Sequence, residues 1–157
     1  MKARLYVETT IFGYLTARTS RDIVTAGHQK ITKLWWDSRR QAFELFCSEL
    51  VVEEISTGNQ EEAAQRLSQL PGIAILAFSP EALSLAKALL KRKALPAHAE
   101  NDALHVALAA VNDIEFMLTW NCRHLANASL RSLIDRVCKK AGYRCPIICT
   151  PEELLEK

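Results

Sequence analysis

Five short apolar runs, separated by segments with helical periodicity, constrain this chain more than any other feature. The runs are Arg4-Leu5-Tyr6-Val7, Phe43 to Cys47, Ile73 to Ala77, Phe116 to Thr119 and Pro146 to Cys149. Each is brief and apolar on successive residues, the pattern of a strand buried on both faces of a parallel sheet. After a turn near Gly13, a long helical region is expected over roughly 21–42, with Ile23, Ile31, Leu34, Trp35 and Phe43 as core candidates. Ser48 is placed to cap a helix ending near Gly58, and residues 60–70 form another, closed by Pro71-Gly72. Ser79-Pro80-Glu81 reads as a cap and first-turn proline opening a helix to about Lys93. Pro96 punctuates the link to a helix at roughly 98–112, a further helix lies near 128–141, and Thr150-Pro151-Glu152 opens a last short one. Strands alternating with helices imply an α/β fold around a parallel sheet. In such sheets ligands bind beyond the carboxyl ends of the strands.

At 157 residues the chain is expected to form a single domain over 1–157, and five glycines and five prolines are too few for a long linker. No apolar run approaches the roughly 20 residues that span a bilayer, so no membrane association is expected. Met1-Lys2-Ala3-Arg4 runs straight into the first strand without an apolar signal region, which points to the cytoplasm. Cys47, Cys122, Cys138, Cys145 and Cys149 form no C-x-x-C pair and read as reduced thiols. A zinc site drawn from Cys122, His124, Cys138 and Cys145 has no finger or ribbon spacing. The net charge of +2 is unevenly spread. Basic residues gather at Arg18, Arg21, Lys30, Lys33, Arg39 and Arg40, and again from Arg123 to Arg144, whereas residues 44–62 are acidic. This segregation suits an anionic partner held by basic walls around an acidic pocket, although solvated helix faces give the same pattern.

The chemistry-bearing residues sit where the strand ends predict a crevice. Glu8 follows the first strand directly and is succeeded by Thr9-Thr10, and Asn121 lies just past the fourth strand. Glu54 falls on the apolar line of Leu50 and near Val51, whereas Glu49 and Glu53 stack four apart on a solvated stripe. An acid on an apolar stripe must be partnered or bound, because burying it bare is costly. Asp102 heads a helix whose residues Ala103 to Val111 are apolar apart from His105. Each residue also has a plainer reading: loop acid, partnered core acid, first-turn acid favoured by the helix dipole, or turn amide. His98, Asp102 and His105 would share a face if the helix began by His98, offering a zinc hydrolase as an alternative. Trp35, Trp36 and Trp120 read as packing residues, with Trp120 close enough to the crevice to be tested as a base-stacking platform.

Oxygen ligands drawn from distant segments suit a hard cation such as Mg²⁺ or Mn²⁺. In order, Glu8-Thr9-Thr10, Glu54-Ile55-Ser56-Thr57-Gly58, Asp102-Ala103-Leu104-His105-Val106-Ala107 and Thr119-Trp120-Asn121 resemble the four motifs of the PIN-domain ribonucleases, and more narrowly the VapC-like toxins of type II toxin–antitoxin pairs. The resemblance covers essentially the whole chain. It implies a three-layer sandwich with a central parallel sheet of about five short strands. It also implies metal-dependent hydrolysis of RNA phosphodiesters, with Glu8, Glu54 and Asp102 as ligands of Mg²⁺ or Mn²⁺ and Asn121 orienting a water. Thr9, Thr10 and Arg123 would contact substrate or support the turn beside it. A small antitoxin protein and a homodimer are implied as partners, with RNA as substrate. Two departures matter: Glu8 stands where the family usually has Asp, and the fourth position offers Asn121 and then His124. They favour one metal ion over two, and they leave open a catalytically inactive PIN-fold binding module.

Overall fold

A computed structural model describes residues 1–156 of the chain. Its centre is a sheet of five parallel strands: β1 (Ala3–Val7), β2 (Phe43–Ser48), β3 (Ala74–Leu76), β4 (Phe116–Leu118) and β5 (Ile147–Cys149). The order across the sheet is β3-β2-β1-β4-β5, so β1 is the middle strand. Register pairs Tyr6 with Phe46 on one side and with Met117 on the other. The chain winds outward from β1 to one edge, then returns to place β4 on its other side. That reversal opens a crevice at the carboxyl end of β1, between the loops that leave β1 and β4.

Seven helices cover the sheet: α1 (Thr9–Thr16), α2 (Ile23–Ser38), α3 (Glu49–Ile55), α4 (Gln60–Leu67), α5 (Pro80–Lys91), α6 (Glu100–Val111) and α7 (Ala128–Lys140). Local signals set most of their starts. Ser48 Oγ accepts the Val51 amide at the head of α3, and Ser79 Oγ accepts the Ala82 amide at the head of α5. Thr150 and Glu153 form a reciprocal capping box over the final 3-10 turn, Pro151–Leu154. Helix α6 is almost wholly enclosed, with Ala103 and Val106 to Ala109 fully buried.

Three expectations need correction. Gly13 lies inside α1 rather than in a turn, and α1 itself was not foreseen. Helix α2 is shorter than the expected 21–42 and differs in phase. Ile23 and Leu34 are 85% and 56% exposed, whereas Gln29, Thr32, Trp35 and Trp36 face inward. Gln29 and Thr32 are satisfied there, since Gln29 bonds Ser20 N and Arg18 O while Thr32 bonds His28 O, whereas the buried Trp35 Nε1 finds no acceptor. Finally, β3 is an edge strand rather than a buried one, with Ala74 and Ile75 exposed. Among the described residues no helix is long and apolar enough to cross a membrane.

Candidate functional site

Glu8 is the N-cap of α1 and is 3% exposed. The backbone that leaves the middle strand thus turns an acid into the sheet's carboxyl end. One oxygen, Oε1, accepts from Thr10 Oγ1 at 2.5 Å, from the Thr10 amide at 3.2 Å and from Thr119 Oγ1 at 2.6 Å. The other, Oε2, has no hydrogen-bond donor among the described residues and lies 4.0 Å from His105 Nε2. Strand β4 supports this arrangement from the far side. Thr10 Oγ1 accepts the Trp120 amide and Thr119 Oγ1 accepts the Asn121 amide, which locks the two loops together.

Glu54 repeats the pattern from α3. Its Oε1 accepts from Thr9 Oγ1 at 2.7 Å and meets His105 Nε2 at 2.6 Å. Its Oε2 has only a long contact of 3.4 Å from Asn101 Nδ2. Burial raises the Glu54 carboxyl pKa, but hydrogen bonds from His105, Thr9 and Asn101 oppose it, and the group is held below its ordinary value. His105 Nε2 thus stands between the two glutamates, bonded to Glu54 Oε1 and 4.0 Å from Glu8 Oε2, while Glu54 Oε2 takes only the long bond from Asn101. Neighbouring Glu53 is exposed. Thr9 and Thr10 commit their hydroxyls to these carboxylates, so they act as supports of the acids.

Asp102 belongs to a second group. Its Oδ1 accepts from Asn121 Nδ2 at 3.0 Å, and its Oδ2 meets His124 Nδ1 at 2.8 Å. Asn121 Oδ1 in turn accepts the His124 amide. The sequence-selected acids thus fall into a Glu8–Glu54 pair around His105 and an Asp102–Asn121–His124 group, with Asp102 three residues before His105 on α6. Among the described residues, no three His, Cys, Asp or Glu side chains converge closely enough to enclose a metal ion. Glu8 Oε2, without a donor, and Glu54 Oε2, with one long bond, nonetheless suit a hard cation that keeps several waters and takes few protein ligands.

The zinc alternatives find no support in this arrangement. His98 lies in the turn before α6, off its helical face, and its ring packs against His124 at 5.5 Å. Cys122 is exposed while Cys138 is buried, and all five cysteines are free thiols. Trp120 is 7% exposed, its Nε1 bonds Thr32 Oγ1, and His28 stacks on its face at 4.0 Å. No free stacking face remains on it. Beside Thr10 lies an apolar cleft of about 280 Å³, walled by Gly13, Tyr14, Ala17, Thr25 and Gln29.

Many of the basic residues are spent on structure. Arg39 pairs with Glu156, Arg144 with Asp113 and Lys139 with Asp135, while Arg40 lies over the Trp36 ring. Arg123 is exposed on the loop that carries Asn121. Sequence reasoning gave no role to Tyr6, whose hydroxyl bonds both His105 and Ser48. The signal was available: a tyrosine in a buried strand must find partners for its hydroxyl.

No family model matches the chain, and no curated protein matches its sequence. Its fold does have counterparts among solved structures. It is similar to a chain of VapBC2 from Rickettsia felis, bound to a DNA fragment from their promoter, with a TM-score of 0.60 at 15% identity. That match covers 93% of this chain and 97% of the other. It is also similar to a chain of FitAB bound to an IR36 DNA fragment, with a TM-score of 0.60 at 14% identity, covering 97% of this chain and 98% of that one. At such identities the likeness bears on fold. With its five parallel strands, its helical cover and its β1-centred strand order, the chain has a PIN-like α/β fold shared with chains of these two complexes.

Proposed function

We propose that the chain is a metal-dependent endoribonuclease, the toxin component of a toxin–antitoxin pair. The observation that carries this reading is the Glu8–Glu54 pair about His105 at the carboxyl end of the sheet: Glu8 Oε2 has no hydrogen-bond donor among the described residues and lies 4.0 Å from the Nε2 that meets Glu54 Oε1. Glu8 and Glu54 would hold one Mg²⁺ or Mn²⁺, and Asp102 would complete the charge from the adjoining helix turn. When bound, such a cation supplies a Lewis acid and a more acidic water for attack on a phosphodiester. Thr10 and Thr119 keep Glu8 oriented, and Thr9 does the same for Glu54. Asn121 and His124 hold Asp102. Arg123 would position the phosphate backbone from the rim, a sequence-independent contact. The apolar cleft beside Thr10 gives a flanking nucleoside a place to rest.

A small antitoxin protein is the proposed partner, supported by the likeness to chains of VapBC2 and FitAB. A homodimer is proposed with it, and the mass of the purified protein in solution tests that directly. The second reading, a PIN-fold binding module without catalysis, draws on Asp102. Both of its oxygens are occupied by neighbours, and no three-ligand cluster is formed among the described residues. An RNA-cleavage assay with Mn²⁺, with excess chelator, and with Asp102→Asn as contamination control separates the two. Cleavage that needs the metal and the aspartate supports the nuclease. RNA binding without cleavage in Mn²⁺ or Mg²⁺ supports the module.

A further inference from the structure

Behind the Glu8–Glu54 pair runs a buried line of hydrogen bonds that joins three elements. Ser48 Oγ, at the head of α3, meets Tyr6 Oη at 2.7 Å. Tyr6 Oη, on β1, meets His105 Nδ1 at 2.7 Å, and His105 Nε2, on α6, meets Glu54 Oε1 at 2.6 Å. Ser48, Tyr6 and His105 are 0%, 0% and 1% exposed, so no proton in this line can be given to solvent.

Accounting for each proton fixes a direction. Ser48 Oγ already accepts the Val51 amide, and its own proton is free to go to Tyr6. Tyr6 then donates to Nδ1, and the imidazole carries its proton on Nε2, pointed at Glu54. In the opposite direction Nδ1 would donate to Tyr6 and Tyr6 to Ser48. The buried serine proton would then have no acceptor, which is the costly arrangement. Burial also pushes the Tyr6 phenol well above its ordinary pKa, which keeps it a donor.

We infer that Tyr6 and His105 are positioning residues that present Glu54 to a divalent cation, with His105 in its Nε2–H form tying down Oε1 so that Oε2 is left with only the long bond from Asn101. The inference rests on the proposed metal site. It differs from a simple counter-ion role for His105, in which any cation between the two glutamates would serve.

Two measurements on the full chain test it. In metal-free protein, ¹⁵N NMR of the imidazole should show protonated Nε2 and bare Nδ1 at neutral pH, and Tyr6→Phe should perturb Nδ1. Calorimetric titration with Mn²⁺ should show His105→Leu weakening affinity about 10- to 100-fold, the usual effect of losing a group that orients a ligand. His105→Gln, neutral but still a donor, should recover most of that loss, and Tyr6→Phe should fall between. Should His105→Leu fail to fold, Tyr6→Phe and the imidazole tautomer carry the test.

Nδ1–H, a doubly protonated ring, or unchanged Mn²⁺ affinity in Tyr6→Phe would overturn the relay. Unchanged affinity in His105→Leu, while Glu8→Gln and Glu54→Gln abolish binding, would overturn the positioning role and leave the metal site standing. Wild type that binds no Mn²⁺ at millimolar concentration, yet shows the predicted tautomer, would remove the metal reading and the role with it.

Discussion

Thr119 donates to Glu8 Oε1 at 2.6 Å across 111 positions of sequence, so the end of β4 holds the acid that ends β1. The same hydroxyl oxygen accepts the Asn121 amide at 2.9 Å. One threonine thereby sets the spacing between the two loops that frame the crevice. Thr119→Val keeps the shape but removes one of three donors to Glu8 Oε1 and leaves the Asn121 amide without its acceptor. Urea unfolding should show a loss of about 1–3 kcal/mol, the usual cost of a buried polar group left unsatisfied, while Thr119→Ser should stay near wild type.

The paired glutamates should behave alike and unlike their neighbour. Glu8→Gln and Glu54→Gln should each lower Mn²⁺-dependent RNA cleavage by about two orders of magnitude or more, the scale of losing one preorganised electrostatic group. Glu53→Gln should be nearly silent, since Glu53 is exposed on the other stripe of α3. Initial-rate assays on a labelled RNA, with circular dichroism to confirm folding, check the contrast.

Asn121→Asp carries a sign that the sequence did not predict. Asn121 Nδ2 now donates to Asp102 Oδ1 at 3.0 Å, so a carboxylate there would face another across that distance. Without metal the variant should lose between about 1 and 4 kcal/mol, the range for unit charges near 4 Å from bulk water to protein surface. Added Mn²⁺ should raise its melting temperature more than it raises that of wild type, because the cation relieves the repulsion. Thermal melts with and without Mn²⁺ decide; an unchanged metal-free melt would separate Asn121 from Asp102 in solution.

Glu54 makes acid stability testable. Its carboxyl is held below the ordinary value of 4.5 in the folded chain. A carboxyl depressed on folding contributes stability that is fully present above its unfolded pKa and is lost as pH falls through the folded one. Metal-free wild type should therefore lose part of its stability as pH drops below the ordinary carboxylate value. Glu54→Gln should show a shallower slope there. Urea midpoints measured from about pH 7 down to about pH 3 compare the two.

What the chain's local sequence determined was the set of elements. Short apolar runs became strands within a residue or two of their expected limits, and Ser48, Ser79-Pro80 and Thr150-Pro151 started helices where their capping chemistry requires. Glu53 and Glu54 could be told apart because helical phase is a local property. The phase of α2 could not be read in the same way. Ile23 and Leu34 looked like core, but Trp35 and Trp36 offered more area to bury, and the inward polar groups Gln29 and Thr32 found partners that only the fold supplies. Strand β3 likewise reads as apolar, and only its place at the sheet edge leaves it exposed.

At the site, sequence named the acids by their place at strand ends and helix heads. Tertiary structure decided how they are divided: Glu8 and Glu54 meet around His105, while Asp102 is taken by Asn121 and His124. Those pairings span tens of residues and depend on which loop lands beside which. Hydrogen bonds act over a few ångströms of space, and no spacing along the chain encodes that distance until the sheet has set the order of its strands.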